Sequence, residues 1–347
     1  MHTDQLPSGT VFTKRDTQTV KGIAILCMMF HHTVPNNAVL PLFLQEAPSV
    51  FSLLAAAGKL CVSLLTMLSG YGLAQVYRRS RKTALSDLKF VASHLLQLLS
   101  IYWPINAAAT AVLFLVCRTG HSFSFSVGPK DLLPGLLGIR RYVGGWFFST
   151  ILILYAVFPL CYRLTERFRL RFLALTWLPW VLYFAALFSP KLSVNLDSMP
   201  FYLFAFTLGI YFSVTGKLTI DRGKPHAARK YILLFFAMLC LRILISLPVD
   251  VFLSLSILLL MTRTDIFSGK TAAVLEAFGR ESANIWLFHI NINAILYHFF
   301  PKTWLFYLPK YLLLIAISYV LARAITVLKE RIGYTSLVSR IRKVIEA

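Results

Sequence analysis

The sequence is partitioned by a series of apolar stretches, most of them long enough to cross the hydrocarbon core of a bilayer. A helical crossing needs about 17–25 mainly apolar residues. Stretches of this kind lie near residues 20–35, 60–77, 88–117, 146–162, 171–189, 199–215, 230–247, 250–263, 282–300 and 308–328. The third is over-long and is expected to tilt or break at Pro104, and the eighth is short. In hydrocarbon every backbone N–H and C=O must be satisfied internally, which segments of this length achieve as helices. The fold class expected is an all-α polytopic membrane protein with about ten transmembrane helices.

Composition excludes the alternatives. The 347 residues would suffice for two soluble domains, but 57% are hydrophobic, 14% are charged, and the mean hydropathy is +0.69. An ordinary globular domain is about 45–50% apolar and about 25% charged. The 28 Phe and 15 Tyr would overfill a soluble core of this size. Soluble enzymes, nucleic-acid readers and disordered regulators are therefore excluded.

The formal net charge of +21 arises from 35 Lys and Arg against 14 Asp and Glu. These cations sit in short loops, where they report orientation rather than a nucleic-acid partner. A cytoplasmic N-terminus puts most of them on the cytoplasmic side, including Lys14, Arg15, Arg78, Arg79, Arg81, Arg163 and Lys217. An N-in, C-in topology is expected, with Arg242 snorkelling to the outer interface. Three parts follow: a cytoplasmic segment 1–19, a transmembrane domain 20–330 and a cytoplasmic tail 331–347. In the tail, Leu337, Val338, Ile341, Val344 and Ile345 recur at helical spacing among Arg340, Arg342 and Lys343. That is the pattern of a helix lying on the inner leaflet. No cleavable leader is expected, because no small-residue site follows the first apolar run. The five cysteines (Cys27, Cys61, Cys117, Cys161, Cys240) show no metal-ligand spacing and read as packing residues.

Polar and ionisable residues inside a membrane are costly, so each marks a candidate site. Lys21 and His32 are eleven residues apart, three turns plus about 20° of helix, and share one face. They are separated by roughly 16 Å along the axis, a cation at one mouth and an imidazole deep toward the other. His31 points about 80–100° away from that stripe. The ninth stretch places Trp286, His289 and Asn293 on one face, with Asn284 and Asn291 in the same span. A buried histidine is usually a hydrogen-bonded core residue, but several Asn beside it each need a partner in hydrocarbon. Ser69 and Gly70 suit close helix approach. His94 and Gln97 form a weaker polar pair.

These segments together resemble the integral-membrane acyltransferase-3 family, which includes O-acetyltransferases of bacterial surface polysaccharides. Lys21-Gly-Ile-Ala-Ile…His31-His32 is similar to its first span, in which a basic residue precedes an essential histidine, here His32. Leu68-Ser69-Gly70-Tyr71-Gly72, Trp146-Phe-Phe-Ser-Thr…Tyr155…Phe158-Pro159 and Ser282-Ala-Asn284-Ile-Trp286-Leu-Phe-His289 resemble three further spans in the family's order. Two departures stand out: Lys21 replaces the commoner Arg, and an Arg-x-x-Arg pair is replaced by His94 and Gln97, with Arg78 and Arg81 at the same spacing upstream.

The resemblance implies transfer of an acyl group, most often acetyl, from cytosolic acetyl-CoA to a hydroxyl of a cell-surface polysaccharide or glycolipid. It implies His32 as the catalytic histidine, and Asn284, His289 or Asn293 of the ninth stretch are the candidates to orient its imidazole or stabilise the oxyanion. Lys21, Arg78, Arg79, Arg81, Ser69, Tyr71 and His94 would bind the donor. The expected partners are acyl-CoA, the glycan acceptor and the lipid of the plasma membrane, with no metal and no nucleic acid. The alternatives are a transporter or flippase of a sugar or lipid-linked glycan, and an inactive relative.

Overall fold

In the computed structural model, residues 10–38, 40–42, 45, 49–79, 83–118, 137, 145–187, 199–221, 225–301 and 303–347 are described. The described residues are almost entirely helical. In chain order the helices are α1 (Lys14–Thr33), α2 (Val50–Ala57), α3 (Leu60–Tyr77), α4 (Ala84–Arg118), α5 (Gly145–Ala156), α6 (Phe158–Phe168) and α7 (Leu170–Trp177). They continue as α8 (Pro179–Leu187), α9 (Pro200–Thr215), α10 (Pro225–Ile245), α11 (Asp250–Arg263), α12 (Gly269–Phe299), α13 (Tyr307–Arg331) and α14 (Tyr334–Glu346). One short antiparallel pair, β1 (Thr10–Val11) with β2 (Thr219–Ile220), ties the entry to α1 to the exit from α9.

A helix occupies each of the ten apolar stretches. Among the described residues, and by length and composition alone, two helices are long and apolar enough to cross a membrane: Val50–Tyr77 and Trp304–Arg331. A third qualifies if α5 and α6, bent by 61° at their junction, form one span. Pro104 does not break α4, which runs on to Arg118, a correction to the expected interruption. Proline removes one intrahelical bond and still lets flanking turns continue when neighbours support them. The 171–189 stretch is divided instead, between α7 and α8. Arg169, at φ 46°, separates α6 from α7.

Helix packing follows the small residues. An added Cβ at Gly70 would meet the Phe206 carbonyl at 2.1 Å, and one at Gly209 would meet that of Met67 at 1.9 Å. The backbones of α3 and α9 therefore touch reciprocally, a contact only small residues permit. Gly22 of α1 and Gly279 of α12 do the same against Leu275 and Gln18. Several buried hydroxyls bond back to the preceding turn, as Thr66 does to Val62 (2.7 Å) and Thr262 to Leu258 (2.9 Å). That keeps them satisfied without water. Many large apolar side chains face outward, including Leu308, Leu312, Val320 and Leu328 of α13, as expected where lipid replaces water.

Three expectations change in the folded chain. Arg242 does not snorkel: it is buried and ion-paired with buried Asp250. The tail helix α14 docks on α4, with Tyr334 donating to the Ser100 carbonyl at 2.9 Å and Arg342 to Ser93 Oγ at 2.9 Å. It therefore does not rest on a leaflet alone. Glu346 accepts from Ser93 and Arg342. Cys27, Cys61, Cys161 and Cys240 are free thiols; Cys240 is exposed rather than packed, and the Cys117 side chain lies outside the described residues.

Candidate active site

The last turn of α1 carries His31 and His32, and its terminal carbonyls have no intrahelical partners. The fold supplies a donor for each. Val34 N–H donates to Phe30 O, Asn36 Nδ2 to His31 O (2.7 Å), Asn293 Nδ2 to His32 O (2.7 Å) and the Tyr297 hydroxyl to Thr33 O (2.9 Å). Two of these donors come from α12, so the end of α1 is held by the helix that also brings in His289.

Three imidazoles meet there. The His32 ring centroid lies 4.8 Å from that of His31 and 5.1 Å from that of His289. His31 Nδ1 is 2.8 Å from the Ala55 carbonyl, and His289 Nδ1 is 2.9 Å from the Trp286 carbonyl and 3.2 Å from that of Ile285. A carbonyl only accepts, so Nδ1 carries the proton in both rings and Nε2 is the bare nitrogen. His289 Nε2 and Asn293 Oδ1 are buried without a hydrogen-bond partner among the described residues. Buried polar atoms are almost always paired, so two orphans beside His32 mark a place where another molecule can bond.

Gly58 permits this geometry. A Cβ there would meet Cys27 O at 2.6 Å and His31 Cβ at 3.2 Å, so the α2–α3 junction lies directly against α1. Arg242 Nη2 donates to Ala38 O (3.0 Å) and Ala56 O (3.1 Å), next to the Ala55 carbonyl that holds His31. Ser246, at φ 86°, also donates to Ala38 O, at 3.0 Å. Lys59 sits 5.5 Å from the Trp146 ring centroid, with both His31 and His32 within its electrostatic reach.

The other sequence candidates are distributed. Asn284 belongs to a separate network between α12 and α13. Its amide donates to Thr326 Oγ1 (3.0 Å), Lys329 donates to its oxygen (3.2 Å), and buried Glu281 accepts from Thr326. That network joins Asn284 to α13 and not to the imidazoles, and no periodicity in the sequence pointed to Glu281. Lys21 lies in the same helix as His32, partly buried, with no ion-pair partner among the described residues and Lys14 within electrostatic reach. Arg78 and Arg79 are exposed at the end of α3, and Arg81 lies outside the described residues. Ser69 bonds back to Leu65 (2.9 Å) and meets the Tyr155 hydroxyl; Tyr71 is buried edge-on against Phe12. His94 stacks on Phe90, and Gln97 is exposed. No three His, Cys, Asp or Glu side chains among the described residues are grouped to hold a metal ion.

The model of the acyltransferase-3 family, described as an acyltransferase domain, matches residues 18–323. The chain belongs to the acyltransferase-3 family. The match includes Lys21, the histidine pair and all of α12, and ends within α13, so α14 lies beyond it. No curated protein and no solved structure matches the chain. Family membership makes this a membrane protein of an acyltransferase family.

Proposed function

We propose that this acyltransferase-3 protein transfers an acyl group, acetyl in the simplest case, from cytosolic acyl-CoA to a hydroxyl of an extracytoplasmic cell-surface glycan. The helices occupying the ten apolar stretches would span the plasma membrane N-in, C-in. The observation that carries the reading is His32 set beside the bare, buried Nε2 of His289, on the helix that bears Lys21.

Coenzyme A is a polyanion with a long thin arm. Its phosphates suit Lys21 of α1 and the exposed Arg78 and Arg79 at the end of α3, and the arm suits the roughly 16 Å from Lys21 to His32. A bare ring nitrogen of His32 takes the proton of the acceptor hydroxyl. The acceptor oxygen then bonds to the thioester carbonyl carbon, the C–S bond breaks, and His32 returns its proton to the departing thiolate. The ammonium of Lys59 and the Asn36 and Asn293 amides that fix α1 act by preorganisation, which costs nothing at the moment of reaction. Asn284 supports α12 from its far side.

The test is release of free CoA from acetyl-CoA by protein in nanodiscs, in the presence of cell-surface glycan. Thiol release matched by O-acetylated glycan supports the proposal. Glycan or sugar flux without thioester consumption would instead identify a transporter.

A further inference from the structure

A second site lies away from the imidazoles, where α14 docks on the start of α4. A cavity of about 580 Å³ is bounded there by the end of α3, the first turns of α4 and the end of α14. Its polar lining is Thr83, Ser86, Lys89, His94, Arg342 and Glu346. Arg342 is shared between Ser93 and Glu346, and the two hydroxyls of Thr83 and Ser86 cap the first turn of α4. Lys89 has no hydrogen bond or ion pair among the described residues. His94 donates Nδ1–H to the Phe90 carbonyl at 2.8 Å and stacks on the Phe90 ring. Lys89 and Arg342 are faced in the described lining by the Glu346 carboxylate and by Ala347, the last residue of the chain.

The rim has the opposite character. Val76 and Leu85, which also line the cavity, are 55% and 63% exposed. On α4 this apolar surface continues to Leu88, which is 66% exposed. Leu337 and Ile341 lie on the same side of α14 as Val344, with basic Arg340 and Lys343 flanking them. A polar floor in which Lys89 makes no bond of its own among the described residues, opening through exposed aliphatic side chains, has the two-part chemistry of an interfacial lipid. A helix with an apolar edge and a basic flank lies at the headgroup boundary. Basic pockets between helices at that depth take lipid headgroups.

We propose that this cavity holds the phosphodiester headgroup of a membrane phospholipid, with its acyl chains along Val76, Leu85 and Leu88. Lys89 and Arg342 bond the phosphate. The lipid thereby joins α14, which lies outside the acyltransferase-3 match, to α4. The site is independent of the imidazole chemistry and stands whether or not the acyl-transfer reading does.

The test is native mass spectrometry and phosphorus analysis of the full chain purified in mild detergent. The wild type is expected to retain a phospholipid. Lys89→Glu should lose it by about tenfold or more, and Lys89→Arg should keep it, an affinity difference of about 1.4 kcal/mol or greater for the reversal. Lys89 is partly exposed, and circular dichroism checks that both variants are folded. Equal lipid retention in all three proteins would overturn the proposal. So would displacement of the lipid from wild type by millimolar inorganic phosphate or CoA, which would mark a site for soluble phosphates.

Discussion

The side-chain amide of Asn293 donates to the backbone carbonyl of His32 at 2.7 Å, joining two helices 261 residues apart in sequence at the position of the central imidazole. The bond sets the axial register of α12 against α1, and with it the 5.1 Å separation of the His32 and His289 rings. Replacing Asn293 by Leu leaves the His32 carbonyl without that donor in a largely water-free setting. The expected cost is about 1–3 kcal/mol of stability, measured by thermal unfolding in nanodiscs. A drop in CoA release larger than the stability loss explains should accompany it.

His32→Ala should reduce acyl transfer by about 10²–10⁴-fold, the contribution of a positioned general base. Donor binding, measured by thermal shift with acetyl-CoA, should be unchanged, because the cations proposed to hold the phosphates are Lys21, three turns from His32, and Arg78 and Arg79 at the end of α3. His289→Ala should lower the turnover with the same donor affinity but by a smaller factor, since it acts through His32. Retained turnover in His32→Ala would sink the assignment.

Arg242 and Asp250 form an ion pair buried on both sides. Removing one partner leaves an uncompensated charge, so Arg242→Met is expected to cost about 3–5 kcal/mol. The double variant Arg242→Met, Asp250→Leu removes both charges and should recover much of that stability. It still loses the bonds to the Ala38 and Ala56 carbonyls, so its turnover should stay below wild type. Comparing melting temperature with CoA release across the two variants separates the folding role from the placement of the histidines.

Gly70 and Gly72 stand two residues apart with opposite surroundings. Gly70→Ala would press its methyl into the Phe206 carbonyl, forcing α3 from α9 at about 1–3 kcal/mol. Gly72→Ala meets nothing within 4 Å and, in a helix interior, should stabilise by about 0.5–1 kcal/mol. Thermal melts of the two variants give the sign of each.

Much of the site was legible along single helices. The Lys21–His32 stripe and the Trp286–His289–Asn293 face are matters of helical period, and the period survives folding. Asn284 shows where that reasoning stops. It sits on the same helix as His289, yet its bonds go to Thr326 and Lys329 of α13. Spacing within one helix says which residues share a face but not which neighbour that face meets. Arg242 read as an interfacial cation for the same reason: the carboxylate and two carbonyls that make its burial tolerable come from three other segments.

The sequence by itself determined that the chain is helical and membrane-embedded, because hydrocarbon leaves long apolar segments no other way to satisfy their backbones. It also determined which residues near the ends of those helices carry titratable groups. Only the tertiary structure decided that His31, His32 and His289 form one cluster, that Gly58 and Arg242 hold it, and that α14 closes a cavity against α4. Those outcomes depend on helix register and on contacts between distant segments, and close backbone approach at a few glycines sets that register.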